Sequence, residues 1–135
     1  MGVVHKQIGG NRNFVWEGVE AELYQGGGAS EGSCRHVLIG PKDGAQHFAF
    51  RYFEIPPRGQ SSFEHHVHDQ GVMILKGRAR VLLGWEVHEV EPGDIVYIPQ
   101  NEQHQFENIG DEPLGFLCVI PSKEWLARIQ TLEQG

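Results

Sequence analysis

Apolar and polar residues alternate in short blocks over most of this chain, and glycine or proline separates the blocks. In residues 47–55 the alternation puts Phe48, Phe50 and Tyr52 on one face of a strand, and Pro56-Pro57-Arg58-Gly59 closes the block as a turn. Residues 35–39 form a shorter block, ended by Gly40-Pro41. Residues 72–75 and 79–83 are strand-like on either side of Lys76-Gly77-Arg78. Gly84-Trp85 reads as a hairpin turn, with residues 86–90 as the returning strand. Pro92-Gly93 carries type II turn chemistry, with proline second and glycine third. Residues 95–98, 103–108 and 115–120 complete the series, and residues 14–19 read as a further short strand or edge segment. The period changes only after Ser122, a candidate helix cap: Trp125, Ile129 and Leu132 recur at spacings of four and three. Many short strands with regular turn signals predict a closed all-β sandwich or barrel, with one short C-terminal helix docked outside. No internal repeat is present, so the expected organisation is an N-terminal extension over residues 1–34, a barrel over 35–121 and a helix over 122–135.

The chain has 135 residues, enough for one domain with its own core. Its net charge of −7 argues against a nucleic-acid partner, which needs a basic stripe. No basic amphipathic helix or membrane-length apolar run suggests a membrane partner, and the first residues lack the apolar core of a signal peptide. The Ser or Thr of a myristoylation motif is missing after Gly2. Cys34 and Cys118 form no disulfide framework and lack zinc-site spacing, so the expectation is a cytoplasmic protein with reduced thiols. The glycine-rich loop 26–33 has no Lys-Ser/Thr pair for cradling phosphate and reads as a linker. Trp16, Trp85 and Trp125 are expected to pack, and His5, His36, His47 and His88 to sit on surfaces or strand faces.

Two stretches carry the chemistry. The first is Glu64-His65-His66-Val67-His68-Asp69-Gln70, and the second runs from Pro99 through His104 to Asn108. Imidazole, carboxylate and amide oxygen together make a mixed donor set suited to Fe, Mn, Ni, Cu or Zn.

The second stretch resembles the second motif of the cupin superfamily: Gly93, Pro99, His104 and Asn108 stand at full spacing, with Asn101 in place of a glycine. Asparagine tolerates the left-handed backbone that this turn needs. The first cupin motif is matched more loosely. Counting back from Gly77 puts Gln70 at the motif's glutamate, His66 at its second histidine and Glu64 at its first. Gly59 lies one residue closer than the motif asks, which would favour His65, and with it His68, as the inward residues. Fifteen residues separate Gly77 from Gly93, close to the shortest inter-motif length of single-domain microbial cupins. The resemblance covers roughly residues 48–120.

It implies a double-stranded β-helix, or jelly-roll, with a metal held inside the barrel by Glu64, His66, Gln70 and His104 and walled by Phe106. The ion would be Fe, Mn, Ni or Zn. Two imidazoles with one carboxylate resemble the facial triad of non-haem iron oxygenases, so dioxygenase-like chemistry on a small organic molecule is expected. The alternatives are a metal-dependent isomerase, cyclase or decarboxylase, and a non-catalytic ligand-binding barrel. Tyr52 and Glu54 lie on a neighbouring strand as candidate bases, and Cys118 could face the pocket or be an inert buried thiol. A homodimer is expected, with Phe14, Val15 and Trp16 adding to a neighbour's sheet.

Overall fold

The computed structural model describes residues 1–25, 28 and 30–134; the side chains of residues 129, 130 and 132–134 lie outside the description. The described strands are β1 (Ala21–Leu23), β2 (Cys34–Ile39), β3 (Phe48–Ile55), β4 (Gln70–Lys76), β5 (Ala79–Leu83), β6 (Glu86–Val90), β7 (Ile95–Ile98), β8 (His104–Asn108) and β9 (Leu114–Pro121). They are followed by α1 (Lys123–Gln134). All pairings are antiparallel, and the strands form two sheets, ordered β1-β2-β3-β9-β4-β7 and β6-β5-β8. Together they make a jelly-roll barrel.

The turns follow their local chemistry. Gly84, at φ 62°, and Trp85 join β5 to β6 as a two-residue hairpin with Leu83 opposite Glu86. At Pro92-Gly93 the Asp94 N–H bonds back to the Glu91 carbonyl at 3.0 Å, and Gly93 has φ 97°. Gly77, at φ 81°, turns the chain from one sheet to the other, and a Cβ there would lie 2.8 Å from the Pro113 carbonyl.

Strand parity divides each inner face into an apolar half and a polar half. The core contains Ile55, Val72, Ile74, Ala79, Val81, Val96, Phe106, Leu114 and Phe116. Following the same parity toward the other end of the barrel leads to Arg51 on β3, Gln70 on β4, His104 on β8 and Cys118 on β9. Phe116 stacks on Phe53 at 5.5 Å and on Phe106 at 4.7 Å, flooring the polar end with aromatic rings.

Several expectations change here. Phe48, Phe50 and Tyr52 do share a face, but it is the outer one; Arg51, Phe53 and Ile55 point inward. The outer face of β3 is covered by the N-terminal segment, whose Phe14 and Trp16 rings lie 5.4 and 5.2 Å from the fully buried Tyr52 ring. Residues 14–19 therefore form a strap rather than a strand: they make a single bridge, Gln7 to Trp16, and the first strand is instead Ala21–Leu23. The Phe14 and Trp16 rings, expected to add to a neighbour's sheet with Val15, pack against Tyr52 of their own chain. His36 is buried beside this cluster, whereas Trp85 is 93% exposed at the hairpin tip. Ser122 does cap α1. Its Oγ accepts the Trp125 N–H at 3.0 Å and donates to the Gln46 carbonyl at 2.6 Å. Trp125 packs edge-on against His47 at 4.8 Å. The side chains of Ile129 and Leu132, read as the rest of that helix face, lie outside the described residues. So do Gly26, Gly27 and Ala29 of the glycine-rich loop.

Candidate metal centre

Backbone hydrogen bonds lace the two motif stretches together. Glu64 and His104 form an isolated antiparallel bridge and exchange both N–H···O bonds, at 3.1 and 2.9 Å. Residues paired this way send their side chains to the same side. Three residues before His104, the Asn101 N–H donates to the His66 carbonyl at 2.6 Å, with Asn101 itself at φ 63°. The asparagine at the motif's glycine position thus adopts the left-handed backbone that the motif requires.

Residues 64–66 lie outside the strands, and residues 60–64 make no continuous ladder with β8, because the bridges at their two ends are out of step. Gln60 pairs with Glu107 and Glu64 with His104, so residues 61–63 on one side face residues 105–106 on the other. The extra residue breaks the ladder. Glu64 and His66 still converge: Nε2 of His66 and Oε1 of Glu64 are 3.2 Å apart. One donor atom each from Glu64, His66 and His104 lies within 4.8 Å of the others. Ligands about 2.1 Å from one ion sit roughly 3–4 Å apart, so small side-chain rotations bring this trio to bonding geometry. Nδ1 of His104 lies 3.0 Å from the Glu102 carbonyl. A proton on Nδ1 in that bond leaves the Nε2 lone pair for an ion.

Gln70 lines the same cavity, and its Nε2 donates to Cys118 Sγ at 3.3 Å. With the amide nitrogen committed to the thiol, the amide oxygen is the atom that Gln70 can offer to an ion. Arg51 donates to the same sulfur at 3.3 Å. Burial pushes the Cys118 thiol up, and the Arg51 charge opposes that rise. His65 is exposed and does not line the cavity. His68 does, with its ring stacked nearly parallel on His66 at 4.7 Å. Burial, the neighbouring His66 and Arg51 hold its basicity below the usual histidine value. Tyr52 and Glu54 are not in the cavity. Tyr52 donates to Glu54 at 2.9 Å on the outer face, where Glu54 also pairs with Lys76 at 3.1 Å.

The matching family model is the cupin domain, over residues 51–120, more than half of the chain. The chain belongs to the cupin family. This cupin is 41% identical over 109 residues to 1-methylthio-D-xylulose 5-phosphate methylsulfurylase of Rhodospirillum rubrum, a match covering 79% of this chain and 69% of that protein. Its fold superposes on the crystal structure of a cupin-2 domain from Rhodospirillum rubrum with a TM-score of 0.74 at 36% identity, covering 88% of this chain and 86% of the other. It also resembles a cupin-superfamily sugar phosphate isomerase from Silicibacter pomeroyi, with a TM-score of 0.68 at 27% identity, covering 77% and 71% of the two chains.

The candidate centre opens into a cavity of about 270 Å³. Phe53, Phe106 and Phe116 wall one side of it, Phe106 as expected. The lining also includes residues that the sequence did not single out: Arg51, Arg35, Ser61 and Tyr24. Arg51 was legible in one respect. It shares parity with Phe53 and Ile55, so once β3 is turned the right way round, a charge stands on the inner face of a barrel strand. Among the described residues, no helix is long and apolar enough to cross a membrane.

Proposed function

We propose that this cupin is a metal-dependent enzyme that rearranges a small carbonyl compound, with one divalent transition metal held by His66, His104, Glu64 and Gln70. The observation that carries this reading is the convergence of two imidazoles and a carboxylate in a cavity that three phenylalanine rings also line. The donor set fits Fe, Mn, Ni or Zn. Bound there, the ion supplies Lewis-acid polarisation of a carbonyl oxygen or, as ferrous iron, a site for dioxygen. The chain's own residues do the rest. Phe53, Phe106 and Phe116 exclude water from beneath the reacting carbons. His68, the remaining imidazole in the cavity, stands where it can carry a proton between adjacent carbons. The similarity to a methylsulfurylase and to a sugar phosphate isomerase supports carbonyl chemistry ahead of oxygen chemistry. Dioxygenase chemistry is the second reading, and the two-imidazole, one-carboxylate composition favours it.

Metal analysis of untagged protein is expected to find one ion per chain, lost in His66→Ala combined with His104→Ala. Stoichiometric metal in that double variant overturns the site. Solvent deuterium incorporation into keto sugars under anaerobic conditions supports the rearrangement reading. Oxygen uptake by the iron-loaded protein, without such exchange, moves the assignment to the oxygenase.

A further inference from the structure

We propose that Arg51 and Arg35 form an anion subsite that holds the phosphate of a phosphate-monoester substrate while its carbon chain reaches the candidate metal centre. This inference rests on reading the cavity as the catalytic site.

Strand register puts the two arginines together. Val37 pairs with Arg51 and Arg35 pairs with Phe53, so the guanidinium-bearing residues are diagonal neighbours on the inward face of β2 and β3. Both line the cavity that contains Glu64, His66 and His104. Both have a buried Nε without a hydrogen-bond partner.

The remaining contacts do not neutralise Arg51. Its Nη2 meets only the weakly accepting Cys118 sulfur at 3.3 Å, and its guanidinium lies 4.9 Å from the centre of the Phe53 ring. Among the described residues no carboxylate is within ion-pair distance of Arg51, in a chain with a net charge of −7. Arg35 is paired with Glu22 through Nη2 and also lines the cavity. One free guanidinium and one half-engaged guanidinium, side by side, match a dianion better than a single carboxylate. Planar forks of this kind bind phosphate oxygens in pairs. A cavity of about 270 Å³ has room for a phosphorylated chain of roughly three to five carbons and little more.

Calorimetric titration of the wild-type protein with xylulose 5-phosphate and with xylulose tests this, with metal content measured on the same sample. The phosphorylated sugar is expected to bind at least tenfold more tightly, and inorganic phosphate to compete at least tenfold more weakly than the ester. Arg51→Met is expected to reduce the preference to under threefold with metal content unchanged, Arg51→Lys to retain part of it, and Arg35→Gln to lower it less. Equal binding of the two sugars, or binding of neither, overturns the subsite, as does a preference that survives Arg51→Met. Inorganic phosphate binding as tightly as the ester overturns the substrate assignment. The wild-type comparison decides the matter even if Arg51→Met fails to fold. One metal per chain without a phosphate preference removes the subsite and leaves the metal reading. A phosphate preference without metal does the reverse.

Discussion

Asn108 shows how one side chain can close a motif without touching its chemistry. It is buried, its Nδ2 donates to the Ile55 and Glu112 carbonyls at 3.0 and 2.9 Å, and its Oδ1 accepts the Gly110 N–H at 2.9 Å. The last residue of the second motif thus ties the end of β8 to β3 and to the following loop. Asn108→Ala removes the partner of three backbone groups, the Ile55 carbonyl in a buried bond and the other two in part-buried ones, and the expected cost is about 2–3 kcal/mol in urea unfolding. Metal content at low temperature should be retained, because His104 is held separately by its bridge to Glu64 and by Glu102. Loss of metal in a folded Asn108→Ala would place Asn108 in the site itself.

At the scale of elements, the N-terminal strap and β3 act as one unit. Tyr52 fills the space between them so closely that a Cβ on Gly115 of β9 would stand 2.1 Å from its hydroxyl. Gly115→Ala is therefore expected to displace Tyr52 and lower stability by about 2–3 kcal/mol, the range for overpacking a filled core. Thermal melting of Gly115→Ala, alone and with Tyr52→Phe, checks it; partial rescue by the second change is the expected signature. The same unit gives a pH dependence. Burial lowers the basicity of His36 below its ordinary value, against the opposing effects of the Glu54 charge and the nearby Tyr52 backbone. The folded state thus favours neutral His36 more than the unfolded chain does. Its contribution is present above the ordinary histidine value and is lost as pH falls through the lower folded value. The urea midpoint should drop more steeply from pH 7.5 to pH 5 in the wild type than in His36→Phe. Equal slopes would remove His36 from the account.

At the scale of the whole molecule, the larger sheet leaves an apolar outer patch. Met73, Ile95, Tyr97 and Val119 are all exposed, and register joins them: Met73 pairs with Ile95, and Gly71 lies between Tyr97 and Val119. The homodimer expected from the sequence is better proposed through this face than through the strap. Light scattering is expected to give a dimer at micromolar concentration, and Ile95→Lys with Val119→Lys to give a monomer. A wild-type monomer at all concentrations would count against it.

The strands were legible in the sequence because alternation and turn residues are local. Residues 79–83, 86–90 and 95–98, the two tight turns and the Ser122 cap stand where those signals put them. The second cupin motif was legible for the same reason: Gly93, Asn101, His104 and Asn108 each answer a demand of the backbone within a few residues. Parity alone, however, cannot say which face of a strand is inside. Phe48, Phe50 and Tyr52 are as apolar as Phe53 and Ile55, and only the strap of Phe14 and Trp16 makes the outer face of β3 a place to bury Tyr52. That choice turned Tyr52 and Glu54 away from the cavity and turned Arg51 into it. The first motif was ambiguous because its register is set by bridges to β8, not by its own spacing. A one-residue offset between those bridges brought Glu64 and His66, rather than His65, to face His104. Local chemistry determined the elements and one half of the site. The other half, and the arginine wall beside it, were decided by which strands the barrel brings together.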